Sequence, residues 1–282
     1  MAVQIIIDSG ADIIPAQAEK LGLIHIPLRV LFGTEEYEDS VTLSHQEFYE
    51  RLIECDTLPT TCQIPPSSFE DIYEAVRLHG DTAVVVTLSG KLSGTYQSAV
   101  IAAEEHEGRV HVVDSENVSL GQRLLVLRAV ELRSQGLSAA EIAACLETEK
   151  KNIKVLALLD TLEYLKKGGR ISRTTAFAGS MLNIKPVITL NNGEVSMVGK
   201  ARGSKQGNNL LRELISDCGG INFNLPYCLA YSGLSDTLLQ KYIADSEDLW
   251  QDNTNTLPIA TVGCVIGAHA GPGAIAVAFF KN

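Results

Sequence analysis

Short runs of β-branched and aliphatic residues alternate with stretches whose apolar positions recur at helical spacing. This pattern holds through the first half of the chain and predicts a mostly parallel sheet covered by helices. Residues 4–7, 24–31, 83–88 and 110–113 read as strands. The run 83–88 (AVVVTL) is apolar at nearly every position, as a central strand buried on both faces should be. Helices are predicted over 44–54, 67–78, 93–106, 120–135 and 139–151.

Near residue 152 the pattern restarts. A strand over 154–159 leads to a short helix ending at Gly168-Gly169, and a further helix is predicted over 174–182. A hairpin of 186–190 and 194–199 follows, joined by Asn191-Asn192-Gly193, whose Asn-Gly step suits a turn that needs positive φ. Two more strand-helix units and a closing strand over 274–280 complete the chain. The expected architecture is therefore two α/β domains, an N-terminal one over 1–152 and a C-terminal one over 153–282. No Pro/Ser-rich linker, low-complexity tract or internal repeat separates them, so the two halves are expected to pack directly together.

Composition narrows the function classes. With 282 residues, 45% of them hydrophobic and 20% charged, the whole length is expected to fold. The formal charge of −11 makes nucleic acid or an anionic membrane a poor partner, so an anionic ligand needs a local site. Six cysteines with no C-x-x-C pair suit a reducing cytosol better than a disulfide framework or a zinc site. The apolar run 3–7 is far too short for a signal peptide or a membrane span, and the chain reads as cytoplasmic.

Four constellations carry chemistry. Ser89-Gly90-Lys91-Leu92-Ser93-Gly94-Thr95 lies between a buried strand and a helix, at the edge where open α/β sheets bind ligands. A helix beginning at Ser93 offers N–H groups to an anion, although Ser93 also suits a plain N-cap. The loop fits neither G-x-x-x-x-G-K-[ST] nor G-x-S-x-G, which weakens nucleotide binding and serine hydrolysis alike. The second, Thr60-Thr61-Cys62-Gln63-Ile64-Pro65-Pro66-Ser67, is a hydroxyl-rich loop entering a helix through prolines, a routine helix start as much as a site.

The third, His269-Ala270-Gly271-Pro272-Gly273, places a His at the mouth of a buried strand. That His suits a hydrogen bond to a ligand carboxylate, a general base or a buried structural role, and the motif does not choose among them. No second His lies at metal-ligand spacing. The fourth is Leu165-Lys166-Lys167-Gly168-Gly169-Arg170-Ile171-Ser172, in which a glycine caps a helix and Arg170 has no local capping role. The small residues Ala176, Ala178, Gly179 and Ser180 beside Phe177 and Met181 on the next helix leave a furrow for a slim ligand or for tight packing. The basic cluster 200–205, with Arg202, stands out on an acidic chain.

Four of these pieces in this order resemble the DegV family of fatty-acid-binding proteins, which includes the subunits that deliver fatty acids to bacterial fatty-acid kinase. They are residues 61–65, Leu92-Ser93-Gly94-Thr95, residues 165–172 with Leu182-Asn183-Ile184-Lys185-Pro186, and residues 269–273. The resemblance implies a two-domain α/β fold with one long-chain fatty acid buried between the domains, and no cofactor, metal or catalytic residue. By motif matching, Thr61, Ser93 and His269 would bind the ligand carboxylate with the Gly94 N–H nearby; the furrow makes Phe177, Ala178 and Met181 the candidates for lining the acyl tunnel. Arg170 and Arg202 would face a fatty-acid kinase partner that forms the acyl phosphate, and ligand exchange would call for transient membrane contact at most. Where the family shows Thr-Ser-Gln-Pro-Ser, this chain has Thr61-Cys62-Gln63-Ile64-Pro65, so contacts from the replaced hydroxyls are not carried over. The competing readings are an acyl hydrolase with Ser93 as nucleophile, His269 as base and Asp114 as orienting acid, and a regulator that binds another small anion.

Overall fold

A computed structural model describes residues 2–171, 183–250 and 256–282. Four strands form an all-parallel sheet: β1 (Val3–Asp8), β2 (Leu23–Ile26), β6 (Thr82–Thr87) and β7 (Val110–Asp114), in the order β2-β1-β6-β7. Here β6 is interior, as its unbroken apolar run requires. Between these strands come β3 (Arg29–Phe32), β4 (Glu35–Glu38) and β5 (Thr60–Cys62), which pair antiparallel in the order β4-β3-β5. The helices of this half are α1 (Pro15–Leu21), α2 (His45–Glu54), α3 (Pro66–Leu78), α4 (Thr95–Ala103), α5 (Leu120–Ser134) and α6 (Ala139–Glu149).

Six further strands form a mixed sheet of order β10-β9-β8-β13-β11-β12: β8 (Ile153–Leu158), β9 (Ile184–Asn191), β10 (Glu194–Arg202), β11 (Tyr227–Tyr231), β12 (Ile259–Thr261) and β13 (Ile275–Phe280). Only β11 and β12 run parallel in it. Helices α7 (Glu163–Lys167), α8 (Gly203–Asp217), α9 (Thr237–Asp245) and α10 (Cys264–Ala270) accompany it. Every strand of the parallel sheet precedes residue 152 and every strand of the mixed sheet follows it, yet α10 returns to pack on α2, β3 and β5.

Three apolar layers hold these parts together. Ile5, Ile7, Val84 and Val86 face α5, whose Leu124, Leu125 and Ala129 also meet Ala157, Ala276 and Ala278 of the mixed sheet. One helix thus serves two sheets. The opposite face of the parallel sheet buries Phe48, Tyr49, Phe69 and Tyr73 together with Cys264, Val265 and Ala268 of α10. On the far side of the mixed sheet, Leu156, Leu158 and Val277 pack against Leu211, Ile215 and Tyr242. Each such fully buried aliphatic or aromatic side chain contributes about 1.5–3 kcal/mol of transfer free energy, which fixes the order of the layers.

Several elements differ from the sequence reading. The strand expected over 24–31 is two strands in different sheets, because Pro27 has no N–H to continue a ladder and Leu28 N–H turns to Ser9 Oγ at 3.0 Å. The loop at residues 60–62 is strand β5, with Thr61 opposite Val30. Helix α1 and strand β4 carry too short an apolar signal to be read from the sequence. Helix α4 begins at Thr95 with Gly94 as its N-cap, and a short 3-10 turn follows it over Glu104–His106. The hairpin is longer than expected, and its turn has positive φ at both Asn192 and Gly193, as the Asn-Gly step predicts. Gly169, with φ of 70°, supplies the left-handed turn after α7. The helix predicted over 174–182 lies outside the described residues. Among the described residues no helix is long and apolar enough to cross a membrane.

Candidate functional site

The C-terminal edge of the parallel sheet faces the mixed sheet, and loops from that edge together with α10 enclose a cavity of about 230 Å³. Its floor is the mixed sheet, with Val155, Ala157, Ile188, Leu190 and Ala276 exposing aliphatic groups to it. The register places Ala276 opposite Ala157 and Ala157 opposite Ile188, so the small side chains form one row across neighbouring strands. Room above that row is what their methyl groups leave unfilled.

Thr61, Ser93, Gly94, Arg170 and His269 all line this cavity. Thr61 Oγ1 and His269 Nε2 are 3.0 Å apart, one from an edge strand and the other from the last turn of α10. Burial, reinforced by the Arg170 charge, pushes the His269 imidazole down to about 4, so the ring is neutral at pH 7. Among the described residues its Nδ1 has no hydrogen-bond partner. Arg170 donates from Nε to Leu92 O at 3.2 Å and from Nη1 to Gly168 O at 2.6 Å, which ties the turn after α7 to the Ser93 loop. These bonds give Arg170 the local role that the sequence did not show. Ser93 Oγ lies 3.0 Å from Thr95 Oγ1 and accepts Thr95 N–H at 3.3 Å. Ser89 Oγ donates to Gly193 O at 2.8 Å, so the β9-β10 turn is clasped to the same loop.

The arrangement does not assemble a hydrolase triad. His269 pairs with Thr61 rather than Ser93, and Asp114 accepts Gly90 N–H at 3.2 Å and Glu116 N–H at 2.8 Å instead of orienting the imidazole. Chemically, the site offers hydroxyls and a neutral imidazole beside an aliphatic floor, while the Arg170 guanidinium is engaged by the backbone carbonyls of Leu92 and Gly168. Hydroxyl and imidazole groups can pair with an anionic oxygen, and aliphatic groups suit hydrocarbon.

A buried acid cluster behind the cavity was not legible in the sequence. Asp12 accepts Gly263 N–H at 2.8 Å and Asp39 accepts Cys264 N–H at 3.0 Å, so two carboxylates from the first half anchor the start of α10. Ser119 donates to the other oxygen of Asp12. Asp8 accepts Leu88 N–H at 2.8 Å and Gly10 N–H at 2.9 Å. Desolvation raises Asp8 to about 6 and Asp12 to about 7. Donor atoms of Asp39, His45 and Cys264 lie within 4.8 Å of one another, the described set with the chemistry to hold a metal ion. Their hydrogen bonds are committed, however, Asp39 to Cys264 N–H and His45 Nε2 to Ser40 Oγ at 2.8 Å.

The remaining site expectations fall elsewhere. Arg202 is exposed at the end of β10. Phe177, Ala178 and Met181 lie outside the described residues. The aliphatic floor was read from the sequence only as core strand, because period-2 patterning does not distinguish a residue facing a cavity from one facing a neighbour.

Known proteins match this chain along its whole length. A solved structure of a DegV family protein from Thermus thermophilus, described by its fatty acid binding, superposes with a TM-score of 0.87 at 33% identity, covering 100% of both chains. DegV from Bacillus subtilis, described as a fatty acid binding protein, superposes with a TM-score of 0.83 at 29% identity, again over 100% of both. A DegV domain-containing protein of Deinococcus radiodurans is 35% identical, over 99% of this chain and 98% of the relative. The family model described as an uncharacterised protein, DegV family, matches residues 2–282. Family model and relatives agree from end to end: the chain belongs to the DegV family.

Proposed function

We propose that this chain binds a single long-chain fatty acid in the cavity between its parallel and mixed sheets and presents the carboxylate to a partner fatty-acid kinase for acyl-phosphate formation. The observation that carries the reading is the cavity lining itself, where Thr61, Ser93 and His269 converge beside an aliphatic floor. Each methylene buried there contributes about 0.8 kcal/mol, and on the order of a dozen give roughly 10 kcal/mol before ordering costs. Hydrocarbon burial supplies the affinity. The polar groups and Gly94 fix the position of the head group, since a carboxylate leaves water only against donors.

On this reading the protein is a non-catalytic carrier in the cytoplasm, with no cofactor beyond its lipid. Arg202 on the surface and Arg170 near the head-group loop belong to the face that meets the kinase, and ligand exchange involves transient membrane contact. The fatty-acid binding described for the Thermus thermophilus and Bacillus subtilis relatives supports the ligand class. The test is organic extraction and native mass spectrometry of freshly purified, undenatured protein. One equivalent of a saturated or monounsaturated fatty acid is expected, and protein that is free of lipid and takes up none when offered oleate overturns the reading.

A further inference from the structure

Thr95 does not line the cavity, yet its hydroxyl sits at the junction of the two loops that do. The residue is fully buried. Its Oγ1 accepts Ile64 N–H at 3.3 Å from the loop that carries Thr61, and it lies 3.0 Å from Ser93 Oγ. The direction of the proton between the two hydroxyls follows from satisfaction. A buried hydroxyl must place its one proton on an acceptor, and among the described residues Ser93 Oγ is the acceptor offered to Thr95. Were Ser93 the donor, Thr95 Oγ1 would accept twice while its own proton stayed buried and unpaired, a loss comparable to a missing hydrogen bond.

Ser93 Oγ then accepts both Thr95 N–H and Thr95 O–H, which fills its acceptor positions. Its own proton is left for the cavity. Ile64 N–H, Thr95 O–H and Ser93 O–H form a chain of donors running from the β5 loop toward the ligand, and each bond polarises the next.

We propose that Thr95 is a positioning and specificity-determining residue that makes Ser93 a dedicated donor, so that the site selects an ionised carboxylate over a head group that must itself donate. This rests on the fatty-acid reading above. An alcohol of the same chain length can still accept from Ser93, but it gains far less from a donor chain built for a charged oxygen.

The experiment titrates the delipidated full-length protein with oleate and with oleyl alcohol, comparing the parent with Thr95→Val, Thr95→Ser, Ser93→Ala and the Ser93→Ala, Thr95→Val double variant. Thr95→Val is expected to weaken oleate binding about tenfold and alcohol binding much less, with Thr95→Ser restoring the parent preference. In the Ser93→Ala background, Thr95→Val should change oleate affinity little, because the effect passes through Ser93. Equal losses in both backgrounds, or equal losses for oleate and alcohol, would show a merely structural Thr95 and overturn the proposal. Should Thr95→Val fail to fold, Thr95→Cys replaces it; its weaker donor should give an intermediate loss, and parent-like discrimination would again overturn the relay. A parent that binds neither probe removes the fatty-acid reading, and the relay with it. Oleate binding with no dependence on Thr95 removes the relay alone.

Discussion

The ring of His269 lies so close over Gly168 that a β-carbon on Gly168 would stand 2.2 Å from Nδ1. The backbone there has φ of −73°, which any residue adopts, so the glycine is required by proximity and not by conformation. This contact holds the imidazole against Thr61 across 208 positions of sequence.

Gly168→Ala should therefore displace the imidazole, lengthen the Thr61 contact and weaken fatty-acid binding. The added methyl is expected to cost about 1–3 kcal/mol of stability as overpacking. Affinity for oleate and melting temperature measured on the same sample test this. Unchanged affinity would show that His269 does not hold the head group from its present position.

Ser93→Ala and Thr61→Ala should each reduce fatty-acid affinity with the fold intact, since a hydrogen bond to a charged group is worth about 1.5–3 kcal/mol, or one to two decades. His269→Ala should do the same with a further loss of packing. If all three bind oleate as tightly as the parent, the carboxylate lies elsewhere in the cavity.

The buried carboxylates set a pH dependence of known sign. Asp12 is raised from 3.8 to about 7 by burial, so between these values the folded chain holds a proton that the unfolded chain has released. Stability from this group accordingly falls as pH rises from about 4 to about 7 and is level above that. Asp12→Asn can keep the bonds to Gly263 N–H and Ser119 Oγ while imitating the protonated acid. The melting temperature of the parent relative to Asp12→Asn should fall across that window. His269 has the opposite slope, since its depressed imidazole loses stability as pH falls from 6.5 toward about 4, but it is common to both proteins and cancels. A difference that is flat with pH would contradict a protonated Asp12.

The double variant Arg170→Ala, Arg202→Ala should retain bound lipid and lose acyl-phosphate formation in an assay reconstituted with a fatty-acid kinase. Arginine suits a docking face because its planar, permanently charged fork pairs with carboxylate or phosphoryl oxygens. Arg170 also braces Leu92 and Gly168, so its single variant should show a lower melting temperature while Arg202→Ala does not. An unaltered phosphorylation rate in the double variant would remove the docking assignment and leave lipid binding untouched.

Elements with long or unbroken apolar patterns were legible from the residues alone: β6 as an interior strand, the helices α2, α3, α5 and α6, and the hairpin with its Asn192-Gly193 turn. These depend on nearest neighbours along the chain, where side-chain period and turn chemistry act directly. The motifs also named Thr61, Ser93, Gly94 and His269, but as separate pieces in order. That they line one cavity became visible with the packed layers, because the Thr61–His269 contact and the return of α10 to α2, β3 and β5 arise from burial between elements far apart in sequence. The same holds for Pro27 splitting one apolar run between two sheets and for Asp12 and Asp39 gripping the start of α10. A carboxylate in a loop reads as solvated until the layers close over it, and it is that closure which removes water, raises Asp12 and leaves backbone N–H groups as its partners.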